Sequence, residues 1–273
     1  MKAQSTEVER VGVRQIRKMG ADGRRIVAVT AYDALMARLA DQVGVDLILV
    51  GDSLGMTVLG YDTTLPVTLD DIVHHTAAAR RGVRRAMVVG DMPFLTVQIS
   101  PEEALRNCGR VLQEANADAI KLEGGERMAP TIRRLVDCGI PVLGHIGILP
   151  QSIKAEGGYR VQGRTPASIA QMRRDALAVQ EAGAFAIVLE GIAMDLSREI
   201  SGSLEIPTLG IGAGPHCDGQ MQVMPDILGL FEDFVPRHTK RYATLADQVR
   251  QALTAYRDEV QSGAFPTEEH SFR

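Results

Sequence analysis

Seven residues of this chain form a chemically useful set if the fold brings them together: Asp52, Ser53, Asp91, Lys121, Glu123, His145 and Glu190. Each stands at or just past the end of a short apolar run. Leu47-Ile48-Leu49-Val50-Gly51 leads into Asp52 and Ser53, and Ala86-Met87-Val88-Val89-Gly90 leads into Asp91. Ala119-Ile120 leads into Lys121 and Glu123, Pro141-Val142-Leu143-Gly144 into His145, and Ala186-Ile187-Val188-Leu189 into Glu190. Short runs of branched aliphatics read as strands covered on both faces, as parallel strands are. Folds built on such strands keep their chemistry at the carboxyl ends. Singly, these residues have ordinary explanations: Asp52 and Asp91 can cap the loops they begin, His145 can be a satisfied core histidine, Glu190 a solvated strand end, and Lys121 a partner for Glu123 or another acid. Together, four carboxylates at one small mouth repel one another unless positive charge lies among them.

A metal ion is the economical counter-charge. Two or three carboxylates with no cysteine and at most one histidine favour a hard cation, magnesium before zinc. With Asp52 and Asp91 as direct ligands and Glu123 as a ligand or a water-mediated partner, two open positions suit a 2-oxo acid chelating through its carboxylate and keto oxygens. Lys121 then supplies fixed positive charge for a carboxylate or enolate oxygen, and Ser53, beside a glycine-containing turn, holds another substrate oxygen. Polarising the keto group acidifies the adjacent C–H, and Glu190 is the spare base that removes the proton to leave a magnesium-stabilised enolate. Nothing in these residues identifies what the enolate attacks.

The elements that must position this set follow from periodicity. Strands are expected at 25–30, 47–50, 86–91, 119–123, 141–145, 186–190 and 207–211, with an eighth near 227–230. Between them lie helical patterns at about 33–43, from Thr68 with Asp71 in a near capping box, from Ser100-Pro101-Glu102-Glu103 to about 115, at 128–138 and at 165–182. The repeat of strand plus helix predicts a single (β/α)8 TIM barrel over 1–273, with 1–23 as a polar N-terminal extension and 240–262 as an amphipathic C-terminal helix followed by a tail. A doubly wound open sheet is the alternative, but no GxGxxG follows the first strand. The longest insertions, 55–66 and 147–164, both follow strands and either can act as a lid.

Bulk properties exclude several classes. At 273 residues with 45% hydrophobic and 23% charged content, the chain can bury a large core, and no apolar run reaches the roughly 20 residues needed to span a bilayer. The first 23 residues lack a signal-peptide pattern, so a soluble, cytoplasmic protein with no membrane partner is expected. Cys108, Cys138 and Cys217 form no CxxC pair, which argues against a disulfide framework or a cysteine-ligated zinc. A net charge of −4 gives no general reason to bind nucleic acid. The one basic run, Arg80-Arg81-Gly82-Val83-Arg84-Arg85, falls at an expected helix end, where cations oppose the macrodipole.

Several ordered motifs resemble the ketopantoate (3-methyl-2-oxobutanoate) hydroxymethyltransferases. They are Val50-Gly51-Asp52-Ser53-Leu54-Gly55-Met56, Thr64-Leu65-Pro66-Val67-Thr68, Lys121-Leu122-Glu123-Gly124-Gly125, Gly144-His145-Ile146-Gly147, Gly157-Gly158-Tyr159-Arg160-Val161-Gln162-Gly163-Arg164, Gly210-Ile211-Gly212-Ala213-Gly214 and the tail Glu268-Glu269-His270-Ser271-Phe272. The resemblance runs from about residue 30 to the C-terminus. It implies a barrel of the phosphoenolpyruvate/pyruvate type with one Mg2+ per subunit. It also implies an activity that transfers a hydroxymethyl group from 5,10-methylenetetrahydrofolate, as co-substrate, to 3-methyl-2-oxobutanoate, giving 2-dehydropantoate for pantothenate synthesis. By motif, Asp52, Asp91 and Glu123 resemble the magnesium set, Asp52, Ser53, Asp91 and Lys121 the substrate contacts, and Glu190 the general base, with His145 in support. Family members form homo-oligomers, commonly decamers. The chain departs from the family pattern at Leu149 and at Gly191-Ile192-Ala193, which bears on loop shape and folate contacts more than on the base. Two other functions share these residues: a magnesium-dependent 2-oxo-acid lyase or mutase on a related barrel, and an idle binding protein that kept the fold.

Overall fold

The computed structural model describes residues 9–272. In chain order the first unit contains α1 Val13–Ala21, β1 Ile26–Thr30, α2 Ala34–Gln42, β2 Leu47–Val50, α3 Leu54–Thr57, α4 Leu69–Gly82, β3 Met87–Asp91, α5 Pro101–Ala115 and β4 Ala119–Glu123. It continues with α6 Ala129–Asp137, β5 Val142–Gly147, α7 Ile153–Glu156, α8 Pro166–Glu181, β6 Ala186–Glu190, α9 Met194–Ser203, β7 Thr208–Ile211 and β8 Gly219–Gln222. A second compact unit starts at Met224 and holds α10 Met224–Ile227 and α11 Leu245–Ser262. All eight strands are parallel and close into a barrel in sequence order, β8 pairing with β1.

Local chemistry sets the boundaries. Asp33 accepts from the Met36 N–H to start α2, Thr68 and Asp71 close a capping box on α4, and Ser100 caps α5 ahead of Pro101. Arg80 and Arg81 fall in the last turn of α4, as the macrodipole favours. Among the described residues no helix is long and apolar enough to cross a membrane.

Alternation along the strands carries the argument from core to site. Side chains two apart on a strand share a face. The barrel interior is packed with Leu47, Leu49, Met87, Val89, Ala119, Leu143, Ala186, Val188, Leu209 and Met221. The next residues with the same parity are Asp91 after Val89, Lys121 and Glu123 after Ala119, His145 after Leu143, and Glu190 after Val188. One interior face therefore changes from apolar to ionisable as it reaches the carboxyl end.

Two expectations need correction. The eighth strand lies at Gly219–Gln222 and not near 227–230, where the short helix Met224–Ile227 ends and the chain turns. The sequence Gly-Gln-Met-Gln lacks a strand's apolar signal because β1 and β7 supply the pairing from both sides. A Cβ on Gly219 would stand 2.4 Å from the Ile26 carbonyl oxygen, so the site demands glycine. The stretch read as a polar extension also contributes to the core: Val11, Ile16 and Met19 are buried and join the barrel's interior cluster with Phe185. Residues 1–8 of that stretch lie outside the described residues.

Candidate active site

Strand register sets the charged groups side by side. Asp91 on β3 is the register partner of Lys121 on β4, and Glu123 is the partner of His145 on β5. The Lys121 ammonium donates to both carboxylate oxygens of Asp91, each at 2.8 Å. The Asp52 backbone N–H donates to Asp91 Oδ2 at 3.3 Å, so the turn after β2 is tied to the end of β3. Asp52, Asp91, Lys121, Glu123 and His145 are all buried, whereas Ser53 and Glu190 are part-exposed, the Glu190 side chain at 19%. The structure thus brings together every residue in the expected set except that Ser53 faces a neighbour outside it: its Oγ lies 2.8 Å from the Tyr32 hydroxyl.

His145 stands between two acids. Its Nδ1 is 3.7 Å from Glu123 Oε1 and its Nε2 is 3.3 Å from Glu190 Oε2. Burial, together with the Lys121 charge, depresses its pKa, so the ring favours the neutral form. A neutral imidazole carries one N–H and can serve only one of these acids as a donor at a time. The backbone arrangement that sets Glu190 here depends on Gly147. Its φ of +104° suits glycine, and a Cβ there would fall 2.0 Å from the Glu190 carbonyl oxygen.

The electrostatics show a shortage of positive charge. Burial pushes the Asp52 carboxyl up to about 7, with the Asp91 charge adding to it and Lys121 and Gln151 opposing it. Glu123 is also raised well above the usual carboxylate value, by burial first and then, against Lys121, by Asp52, Asp91 and Glu190. Burial works against the Lys121 ammonium, yet Asp91, Glu123 and Asp52 outweigh it and hold its pKa above the ordinary lysine value. Three buried carboxylates share one ammonium, and the imbalance is what a bound cation would relieve.

The donor set fits a hard divalent cation in charge and chemistry. The three carboxylates offer oxygen alone, and Glu123 Oε1 is buried without a hydrogen-bond partner. The carboxylates are not drawn into a ready-made shell: among the described residues no group of three or more His, Cys, Asp or Glu side chains is so arranged. Both oxygens of Asp91 are instead engaged by Lys121.

Two residues beyond the expected set belong to the site. Tyr32, after β1, is buried and positions Ser53. Gln151, after β5, donates its side-chain amide to Asp52 Oδ2 at 3.0 Å and its backbone N–H to Glu123 Oε2 at 3.2 Å. Tyr32 has a weak sequence signal, standing two residues past a strand end. Gln151 has none, since an uncharged amide in a long loop carries no chemistry of its own.

Comparison with known proteins decides the family. The ketopantoate hydroxymethyltransferase family model matches residues 10–268. The chain belongs to that family. It is 57% identical over 264 residues to a 3-methyl-2-oxobutanoate hydroxymethyltransferase of Chloroflexus aurantiacus, covering 97% of this chain and 93% of that protein. It is 53% identical to the protein of the same name from Moorella thermoacetica, covering 97% of this chain and 98% of that one. Among solved structures it is similar to 2,3-dimethylmalate lyase, of the PEP mutase/isocitrate lyase superfamily, with a TM-score of 0.59 at 17% identity, over 95% of this chain and 91% of that one. At that identity the likeness is one of fold, and the TIM barrel expected from the strand repeat is the fold observed. The family match reaches some 20 residues further towards the N-terminus than the motifs alone, taking in the segment whose Val11, Ile16 and Met19 enter the core.

Proposed function

We propose that this chain transfers a hydroxymethyl group from 5,10-methylenetetrahydrofolate to 3-methyl-2-oxobutanoate, giving 2-dehydropantoate for pantothenate synthesis. The observation that carries the reading is the family match over nearly the whole chain, onto a site whose buried acids outnumber its one ammonium. Asp52, Asp91 and Glu123 would hold magnesium. When bound, that ion supplies Lewis-acid polarisation of the keto acid.

The chain's own groups account for the rest. Asp52, Ser53, Asp91 and Lys121 contact the keto acid, and the Lys121 ammonium offers fixed positive charge to an oxygen that gains electron density. Glu190, at the solvent-accessible edge, takes the single proton from C3 of the keto acid. His145, held neutral by burial, supports Glu190 from 3.3 Å. The carbon nucleophile so formed takes the methylene carbon from the folate, and water supplies the hydroxyl oxygen, leaving tetrahydrofolate. A homo-oligomer, decameric as the resemblance implies, is part of this reading. The exposed apolar stripe Val249, Leu253, Tyr256 and Val260 along α11 supports it.

An assay with 3-methyl-2-oxobutanoate, methylenetetrahydrofolate and magnesium tests the proposal, with 2-dehydropantoate as the expected product. Its absence, with the folate donor shown to be competent, would sink the reading. The lyase or mutase alternative predicts turnover without folate, which the same assay resolves.

A further inference from the structure

Gln151 holds no role in the chemistry above, yet it contacts more of the site than any catalytic group. Its side-chain nitrogen donates to Asp52 Oδ2 at 3.0 Å and to the Met92 carbonyl at 2.9 Å, and its side-chain oxygen accepts from Gln98 Nε2 at 3.3 Å. Its backbone N–H donates to Glu123 Oε2 at 3.2 Å. Both amide hydrogens and the amide oxygen are committed. The partners lie at or beyond the ends of β2, β3 and β4, while Gln151 itself opens the 148–164 loop that follows β5. Beyond this anchor and the short helix α7, Gly157, Gly158 and Gly163 take positive φ, and Tyr159 and Val161 are exposed. Its far end is tied back by the Gln162 N–H to the Gly191 carbonyl at 2.9 Å.

We infer that Gln151 is a positioning residue that couples the 148–164 loop to the carboxylates Asp52 and Glu123, so that binding of a divalent cation among those carboxylates orders the loop over the barrel mouth. The inference rests on the cation reading proposed above. The residue type is the argument at Asp52: the side-chain amide grips that acid while leaving its negative charge for a cation, whereas lysine or arginine there would neutralise it, and the backbone N–H holds Glu123 without neutralising it either. Coupling of this kind is reciprocal, so the factor by which the cation protects the loop equals the factor by which the anchored loop tightens the cation.

Hydrogen–deuterium exchange of residues 148–164, with and without Mg2+, tests this in the full chain, alongside calorimetric Mg2+ titration in the presence of 3-methyl-2-oxobutanoate. The proteins are wild type, Gln151→Ala and Gln151→Met; the last keeps side-chain length and volume and the backbone N–H to Glu123, and loses the side-chain hydrogen bonds to Asp52, Met92 and Gln98. In wild type, Mg2+ raises loop protection; in Gln151→Met that rise is lost and Mg2+ binds about tenfold more weakly, as for other groups that orient metal ligands. Equal Mg2+-dependent protection in wild type and Gln151→Met, with the cation bound by both, overturns the coupling alone. A wild-type chain that binds no divalent cation overturns the cation reading, and the coupling with it.

Discussion

The two ends of the barrel both carry aspartates at buried or half-buried positions and use them in opposite ways. At the amino end, Asp46 accepts from the Val27 N–H at 3.1 Å and pairs with Arg85 at 2.8 Å and Arg24 at 3.2 Å. Asp118 accepts from the Val88 N–H and pairs with Arg10 and Arg80, and Asp41 accepts from the backbone N–H groups of Arg84, Arg85 and Ala86. Every one of these acids meets donors, and much of the basic run finds its purpose here. At the carboxyl end Asp52, Asp91 and Glu123 face one another across a single lysine, and two of them are raised. Buried charge with matched partners holds strands together, whereas buried charge left under-compensated stores free energy that a ligand can release. The division matches the barrel rule that chemistry sits at the carboxyl face and stability at the amino face.

The largest effect expected from this contrast is at Glu190. Glu190→Gln lowers exchange of the substrate C3 proton into deuterated water by roughly 100- to 10,000-fold, as for loss of a general base, while Mg2+ and keto-acid binding persist. Unchanged exchange would move the base elsewhere. Asp46→Ala sharpens the other side: it leaves the Arg85 charge short of its partner and costs about 3 kcal/mol in denaturant unfolding, with kcat/KM of the folded protein retained within a few-fold. A large loss of activity at unchanged stability would erase the distinction between the two ends.

Glu123→Gln reverses the trade. It removes one of the mutually repelling buried charges, so the cation-free protein melts at a higher temperature by a few degrees while activity falls. A lower melting temperature would mean that Glu123 is as well compensated as Asp46. The smallest effect is the pH slope of the cation-free protein. A carboxyl raised from 3.8 unfolded to about 7 folded binds more protons in the native state across that interval. Its contribution to stability is therefore fullest below about 4, declines as pH rises towards 7 and levels off above it. Asp52→Asn flattens that slope in denaturant titrations; an unaltered slope would assign it to other groups.

Much of this was legible in residues read singly. Lys121 and Glu123 stand two apart at the end of an apolar run, and that parity alone places both on one face. His145 and Glu190 follow the same rule from Leu143 and Val188. Where parity failed, reading failed: Gly219–Gln222 has too little apolar content to announce a strand, and barrel closure decided it. The helix at Val13–Ala21 was hidden because two buried residues, Ile16 and Met19, are spaced among arginine, lysine and glutamine.

The sequence by itself determined that acids, a lysine and a histidine end successive strands, because strand periodicity is local and survives in one dimension. Only the tertiary structure decided which of them pair. Lys121 could have served Glu123, two residues away, but the register of β3 against β4 gives it to Asp91. Gln151 became visible only through Asp52, 99 residues distant in the chain. The physical reason is the same in both cases: a side chain's type is fixed by the chain, but its electrostatic partner is fixed by closure of the barrel, which alone brings distant strand ends within hydrogen-bonding reach.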